Sequence, residues 1–341
     1  WFVLRLVSGI CFSGLLTVIE SWLNEQTTRE TRGQVFGIYL FVNLSSVTAG
    51  MLILILGDAA KFDLFAVTAI AILLALVPVC LTTSKVPGPI ADAQLRPIRL
   101  LKLSPVGVIA CFVVGLANGS FAGLAPVFAG KIGMSTTAIA FFTAAAVVGG
   151  AFGQYPIGRI SDYFDRRWVM IATCVGALVF EIAIVAVSLG WVAGDLDMLD
   201  QQVLLIFLSG LLGFFIFPIY GLAVAHTNDF AGDTSFVEVS SELLLTWGIG
   251  ASIGPIVGSV AMSSFGPAGL FAWLAIGHIG LALFAVYRMA QREAPTGDDK
   301  GNFAPTLGQR VTPTSYGLHP QSEWVDDSPD FAVEAREADG G

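Results

Sequence analysis

Of 341 residues, 55% are hydrophobic and 13% charged, and the mean hydropathy is +0.77; soluble domains carry about 25% charged residues. That balance excludes a soluble globular domain and predicts an integral membrane protein. The formal charge of −9 does not call for a basic partner, because residues 289–341 hold ten acids and four bases, so −6 of it belongs to the tail.

A bilayer core about 30 Å thick takes roughly 20 apolar residues per helix. Nine such stretches follow in chain order: residues 1–23, 34–57, 63–83, 106–130, 136–157, 168–190, 202–225, 241–263 and 267–288. The first opens at Trp1 inside an apolar run, without the basic leader of a signal peptide, and the sequence is expected to be a fragment that lacks upstream spans. This span carries Arg5 and Glu20. Fifteen residues place them about 22 Å apart along a helix and about 60° apart in direction. They share a face with Gly9 and Leu16 that could line a polar path. Arg5 could equally snorkel to the headgroups, and Glu20 could simply begin the following loop.

Lys and Arg favour cytoplasmic loops. If the loop after the first span is cytoplasmic, fourteen collect on that side, with Lys61 and Lys131 opposite and Arg5 inside a span. The expected topology starts outside and ends with a cytoplasmic tail. Residues 84–105, rich in Pro and basic residues, are expected to be a cytoplasmic central loop between a three-span unit at 1–83 and a six-span unit at 106–288. Three further upstream spans would make this six plus six, like the repeated bundles of many transporters.

Between the fifth and sixth spans, residues 158–167 read GRISDYFDRR, with charges at Arg159, Asp162, Asp165, Arg166 and Arg167. Asp162 could accept hydrogen bonds from a neighbouring helix N-terminus, and Arg166 and Arg167 could reach acids on the facing bundle and hold that side closed. Solubility and orientation are the plainer reading of the same charges. Glu181 lies mid-span, where a charge is costly and faces protein or water. Glu242 opens its span beside Ser240 and Ser241, where interfacial capping competes with function. The same span sets Gly250, Gly254 and Gly258 at four-residue intervals around Pro255, a pattern for close helix packing and a bend. The neighbouring Gly248, Gly250 and Gly254 are not a dinucleotide loop, because the last gap is one residue too long and no strand precedes them. Cys11, Cys80, Cys111 and Cys174 read as small core hydrophobes, and His226, His278 and His319 are too scattered to suggest a metal site by themselves.

The stretch Gly158, Asp162, Arg166, Arg167 resembles the cytoplasmic loop signature of the major facilitator superfamily: a Gly, an apolar residue two on, an Asp four on, then a basic pair. Tyr163 stands where that family often has Arg, and Asp165 where it usually has Gly. Arg5 followed four residues later by Gly9 resembles the start of the family's helix four, and IESWLNEQTTRETRG and FPIYGLAVAHTND resemble a bacterial branch of permeases. The resemblance covers residues 1–290.

It implies an all-α integral membrane fold of two helical bundles, with nine of twelve transmembrane helices present: helices 4–6 in residues 1–83 and helices 7–12 in 106–288. It also implies a cavity lined mainly by helices one, four, seven and ten. The candidates for that cavity are Arg5, Glu20, Asn118, Tyr220 and His226, with Ser120, Pro126, Phe217 and Pro218 nearby. Glu181 falls on a scaffold helix, so a structural pair or a proton site fits it better than substrate contact. The expected function is secondary active transport of a small organic solute by alternating access, with Glu20, Glu181 and Glu242 as proton-coupling candidates and His226 beside them. The alternative is a nontransporting sensor or scaffold that keeps the fold and uses its tail for partners. No enzyme, cofactor, metal or nucleic acid is expected. The partners are a small-molecule substrate, the lipid bilayer and protons, acting on a monomer of the cell inner membrane. Residues 289–341 are expected to be disordered, since charge, Gly and Pro dominate.

Overall fold

A computed structural model of the chain describes residues 2–25, 27, 31–57, 61–81, 97–192, 197–230, 236–291, 303, 312–318 and 322. Among these, all regular structure is helical: α1 (Phe2–Glu25), α2 (Arg32–Leu52), α3 (Asp63–Leu81), α4 (Pro97–Leu103), α5 (Pro105–Lys131), α6 (Thr136–Tyr163), α7 (Arg166–Ser188), α8 (Met198–Ile216), α9 (Pro218–Asn228), α10 (Phe236–Phe265) and α11 (Gly269–Met289). Short 3-10 turns follow at Ile53–Leu56 and Pro313–Leu318. A helix satisfies its backbone polar groups internally, which is what a chain crossing hydrocarbon requires.

Among the described residues, eight spans are long and apolar enough to cross a bilayer, with α8 and α9 together forming one of them. Nine were expected. The difference is α3, whose apolar stretch Asp63–Pro78 is shorter than the others. Large apolar side chains such as Phe41, Phe152, Phe207 and Ile256 cover the outside of the bundle, the reverse of a soluble surface and the arrangement lipid calls for. Cys11 and Cys80 lie on this outer surface, and only Cys111 and Cys174 are buried.

Helix boundaries follow local chemistry. Ser104 caps α5 by accepting from the Gly107 N–H, with Pro105 in the first turn, where its missing N–H costs nothing. Ser135 caps α6, Asp165 caps α7 and Asp197 caps α8, each through its side-chain oxygen. The expected span 202–225 is carried by α8 and α9, which meet at Phe217 with its backbone still helical and its N–H on the Gly213 carbonyl. Pro218 cannot donate to the preceding turn, so the hydrogen-bond ladder is interrupted there. Residues 97–103 of the expected central loop are helical, and Leu100 of α4 is buried against the base of α5 and α10.

Two helix pairs form the closest packing. A Cβ added at Gly115 or Gly119 of α5 would enter the backbone of Trp247 or Ala251 in α10, and one at Gly250 or Gly254 would enter the backbone of Phe112 or Leu116. Gly258 continues the row against the Leu124 side chain. On the other side, Gly149 and Gly153 of α6 meet the backbone of Gly210 and Phe214 in α8, and Gly213 meets Ala146. Small residues let backbones approach this closely, which replaces the hydrophobic drive that lipid removes. The apolar cores of α5–α11 fill the space between these pairs, while α2 leans on α6.

The carboxy-terminal stretch differs from the disorder expected of it over residues 312–318. The Thr312 carbonyl accepts the Ser315 N–H, starting a 3-10 turn in which Ser315, Tyr316 and Leu318 are buried. Most of 292–341 lies outside the described residues.

Packing at Gly119 sets a test. Gly119→Val places methyl groups where the Ala251 backbone stands, and overpacking costs about 1–3 kcal/mol. It should lower the thermal midpoint of the purified protein by several degrees or more, whereas Gly248→Ala, with open space at its Cβ position, should leave it unchanged.

Candidate functional site

The 158–167 stretch sits where α6 hands over to α7, and its charges meet the end of α9. Arg166 is 1% exposed. A buried guanidinium must find partners for its five N–H donors, and the surrounding residues supply them. Its Nε donates to Asp229 Oδ2 at 2.7 Å and its Nη2 to Asp229 Oδ1 at 3.4 Å, a forked contact with a carboxylate. Its Nη1 donates to Ser161 Oγ at 3.0 Å and to Asp162 Oδ1 at 3.3 Å. Ser161 Oγ in turn donates to the Gly158 carbonyl at 2.6 Å. Asp162 also accepts the Phe303 N–H at 2.7 Å, and a Cβ at Gly158 would run into the Phe303 ring.

Arg167 donates to both Asp165 oxygens, and its N–H completes the cap of α7. Burial pushes the Asp165 pKa up, but the hydrogen bonds and positive charge of Arg167 outweigh it and hold the carboxyl below its ordinary 3.8. A depressed carboxylate pKa contributes stability above the unfolded value and loses it as pH falls through the folded one. This pair therefore persists through neutral and mildly acidic solution and weakens only below about pH 4. The described acid partners of Arg166 and Arg167 belong to α6, α9 and the loops beside them, not to the facing bundle. Beside this node, Ser104, Arg167, His226, Phe230 and Arg288 line a small recess, and the His226 ring stands edge-on to Phe230.

A second polar site lies inside the six-helix unit. Glu181 of α7 meets Nδ1 of His278 of α11 at 2.8 Å, and both side chains are 1% exposed. Glu181 Oε2 and His278 Nε2 are buried without a hydrogen-bond partner among the described residues. His278, set aside in the sequence for its isolation, is thus the partner of the mid-span glutamate.

The cavity candidates are dispersed. Glu20 is fully buried near the end of α1, where it accepts from Tyr39 Oη and from Thr312. Arg5 lies in α1, but its side chain is outside the described residues. Tyr220 is buried in α9 and its hydroxyl bonds that of Tyr316. Asn118 is buried in α5 with its Oδ1 unpartnered among the described residues, while Ser120 accepts from the Trp273 indole at 3.1 Å. Glu242 is buried within α10, which starts at Phe236, so it occupies the helix interior and not the helix entrance expected of it. The structure thus brings Glu20 and Tyr220 to one carboxy-terminal segment, and gathers Asp162 and Asp229 around Arg166, with Gly158 reached through Ser161. It does not bring Glu181 to either group.

The residues that sequence reasoning missed are Asp229, His278, Phe303, Thr312 and Tyr316. The Asp that ends FPIYGLAVAHTND was a legible signal for the first, since a charge closing an apolar span at the same end as GRISDYFDRR is placed to meet it. Pairing over 97 residues, as for His278, has no local signature.

The described residues form a helical, multi-pass bundle with apolar flanks and a buried charge node at one end, an architecture that suits a membrane carrier. Residues 107–321 match the Major Facilitator Superfamily, and the chain belongs to that family. Over 279 residues, 81% of this chain and 69% of the relative, it is 26% identical to a protein of Escherichia fergusonii called uncharacterized MFS-type transporter YcaD. A protein of Shigella flexneri with the same name is 26% identical over 281 residues, and an uncharacterized MFS-type transporter of Enterobacter sp. (strain 638) is 27% identical over 282, with the same coverage of each chain. The family is one of transporters, not enzymes.

The charge node sets a double-substitution test. Removing one partner of a buried pair costs about 3–5 kcal/mol, whereas replacing both by apolar groups is often neutral. Arg166→Met and Asp229→Leu should each depress the thermal midpoint strongly. The double variant should recover at least half of the loss, measured by dye-monitored unfolding in detergent.

Proposed function

We propose that this protein is a proton-coupled secondary transporter of a small organic solute, working as a monomer in the bacterial inner membrane with the 158–167 loop on the cytoplasmic side. The observation that carries the reading is the Arg166 node. It ties the α6–α7 loop to the end of α9 through Asp229, and α9 continues α8 past Pro218, which cannot donate a helical hydrogen bond. A proline within a span is a common place for a helix to bend. A node that bridges a loop to the end of such a span is placed to restrain its movement.

In this reading, Asp162 and Arg166 hold the cytoplasmic end in its closed arrangement, and Arg167 with Asp165 keeps the start of α7 in register. The Gly250, Gly254 and Gly258 row with Pro255 gives α10 a face that can slide or bend against α5. The Glu181–His278 pair supplies the proton site. An ionisable pair buried between spans is a functional hypothesis by default, and in this one Glu181 Oε2 and His278 Nε2 have no hydrogen-bond partner among the described residues. Asn118, with its buried unpartnered carbonyl, and Tyr220 and His226 are the contacts for a partly apolar solute. The lysine and arginine asymmetry of the loops supports the orientation.

Transport and coupling are separable by experiment. Protein in proteoliposomes loaded with the pH dye pyranine is challenged with a panel of sugars, amino acids and organic cations. A solute that moves protons with wild-type protein identifies the substrate class. Glu181→Gln should then abolish solute uptake driven by a pH gradient, by tenfold or more, while solute exchange across liposomes of equal pH continues at a rate near wild type. Loss of both in a stably folded variant would instead make the pair a structural one. Asp162→Asn should leave the fold intact and change the exchange rate severalfold, since a ligand-free equilibrium shifts only by the interactions removed from one state.

A further inference from the structure

The contacts of residues 312–318 are not those of a loose tail. The Thr312 N–H donates to both oxygens of Glu20, at 2.9 and 3.2 Å, and the Thr312 hydroxyl donates to Glu20 Oε2 as well. Tyr39 of α2 donates to the other Glu20 oxygen. Four residues on, the Tyr316 hydroxyl bonds the Tyr220 hydroxyl of α9, and its ring stands edge-on to Phe236 of α10 with centroids 6.3 Å apart. Leu318 is fully buried against Phe36 and Leu40 of α2. The segment thus has one polar anchor on α1, one on α9 and an apolar anchor on α2.

Its local structure suits that use. Pro313 fixes the first residue of the turn, and Ser315 closes it by donating from both N–H and Oγ to the Thr312 carbonyl. A turn that is set locally loses less freedom on docking than a flexible strand of the same length. The positions it covers are those that transport would use: a fully buried carboxylate and a buried tyrosine two residues after Pro218.

We propose that residues 312–318 are an internal ligand of the cleft lined by Glu20, Tyr39, Tyr220 and Phe236, and that the segment must leave before the cleft admits water or solute. Its groups mark the chemistry that the cleft takes: an N–H or O–H donor for Glu20, and an aromatic or hydroxyl-bearing body beside Tyr220. The consequence for solute rests on the transport reading, but the docking does not. Bound, the segment ties α1 and α2 to α9 and α10 and keeps them together. Released, it frees a carboxylate whose donors an incoming solute can replace. Substrate-like occupation by the chain's own terminus makes the protein self-restrained.

The test reads water access at Leu40, a residue covered by Leu318 and outside the proposed solute contacts. Leu40→Cys is made with Cys11→Ser and Cys80→Ser, and the protein is placed in nanodiscs, where both membrane faces meet a membrane-impermeant maleimide. The intact chain should label slowly. A chain ending at residue 311 should label at least tenfold faster, and a synthetic peptide of residues 311–322 added in excess should restore slow labelling. The same peptide with alanine at the Tyr316 position should not. Tyr316→Ala in the intact chain gives a second variant whose labelling should rise in the same direction without loss of the terminus. Equal labelling of intact and shortened chains, both monodisperse, overturns the proposal, as does fast labelling that the peptide fails to reverse. Labelling needs no solute flux, so failure of the transport reading leaves this result standing and is seen separately in the proteoliposome assay.

Discussion

A guanidinium taken out of water must be met on nearly every N–H, and Arg166 imposes that requirement on one whole end of the molecule. Asp229 has to close α9 at the right height, Ser161 and Asp162 have to end α6 facing it, and α7 has to begin at the arginine itself. Once these are fixed, the α6–α7 turn has little freedom left. Asp165 and Arg167 then complete the cap of α7 from the same loop. The loop chemistry and the helix ends are one arrangement, and the carboxy-terminal Phe303 rests on its outer side through Asp162 and Gly158.

The bundle behind that end is held by shape more than by charge. Where α5 meets α10 and α6 meets α8, the backbones are too close for side chains at the contacting positions, and lipid offers no hydrophobic penalty that would drive these helices together. Glycine spacing therefore carries the specificity. Such contacts are also easy to remake after a small slide, because no interlocked side chain has to be withdrawn from between the backbones. Among the described residues, side chains far apart in sequence are joined by buried polar contacts at the Arg166 node, at the Glu181–His278 pair, and at the Glu20 and Tyr220 positions that the carboxy-terminal turn covers. Helix pairs that can slide and a proline within the α8–α9 span are compatible with the alternating access proposed above.

The helical class and most of the spans were legible because hydrophobic length is a direct physical requirement of the bilayer. The GRISDYFDRR stretch stood out for the same reason, since a charge cluster in such a chain is expensive to place anywhere but a loop or a paired site. Its partner was only half legible: Asp229 closes an apolar span at the same end, yet nothing local records that Arg166 finds it across 63 residues, or that Glu181 finds His278 across 97. The junction of α8 and α9 was hinted at by Pro218 yet hidden by the apolar run on both sides. The carboxy-terminal turn was masked by averaging: charge, Gly and Pro dominate residues 289–341, while the seven residues from Thr312 to Leu318 hold a capping Thr, a Pro at the turn start, a Tyr and a Leu. Composition describes a segment as a whole, whereas docking is decided by a few side chains at the right spacing.

The central claim is that the α1–α2 side and the α5–α11 unit exchange between two arrangements at the end that carries the Arg166 node. The most direct measurement is the distance between spin labels placed by Gln34→Cys on α2 and Tyr163→Cys at the end of α6, both exposed, in nanodiscs and with Cys11 and Cys80 replaced by serine. Double electron–electron resonance should resolve two distance populations, and Asp162→Asn should change their ratio without changing either distance. A single narrow distance, the same in both proteins, would contradict alternating access and leave a rigid membrane scaffold.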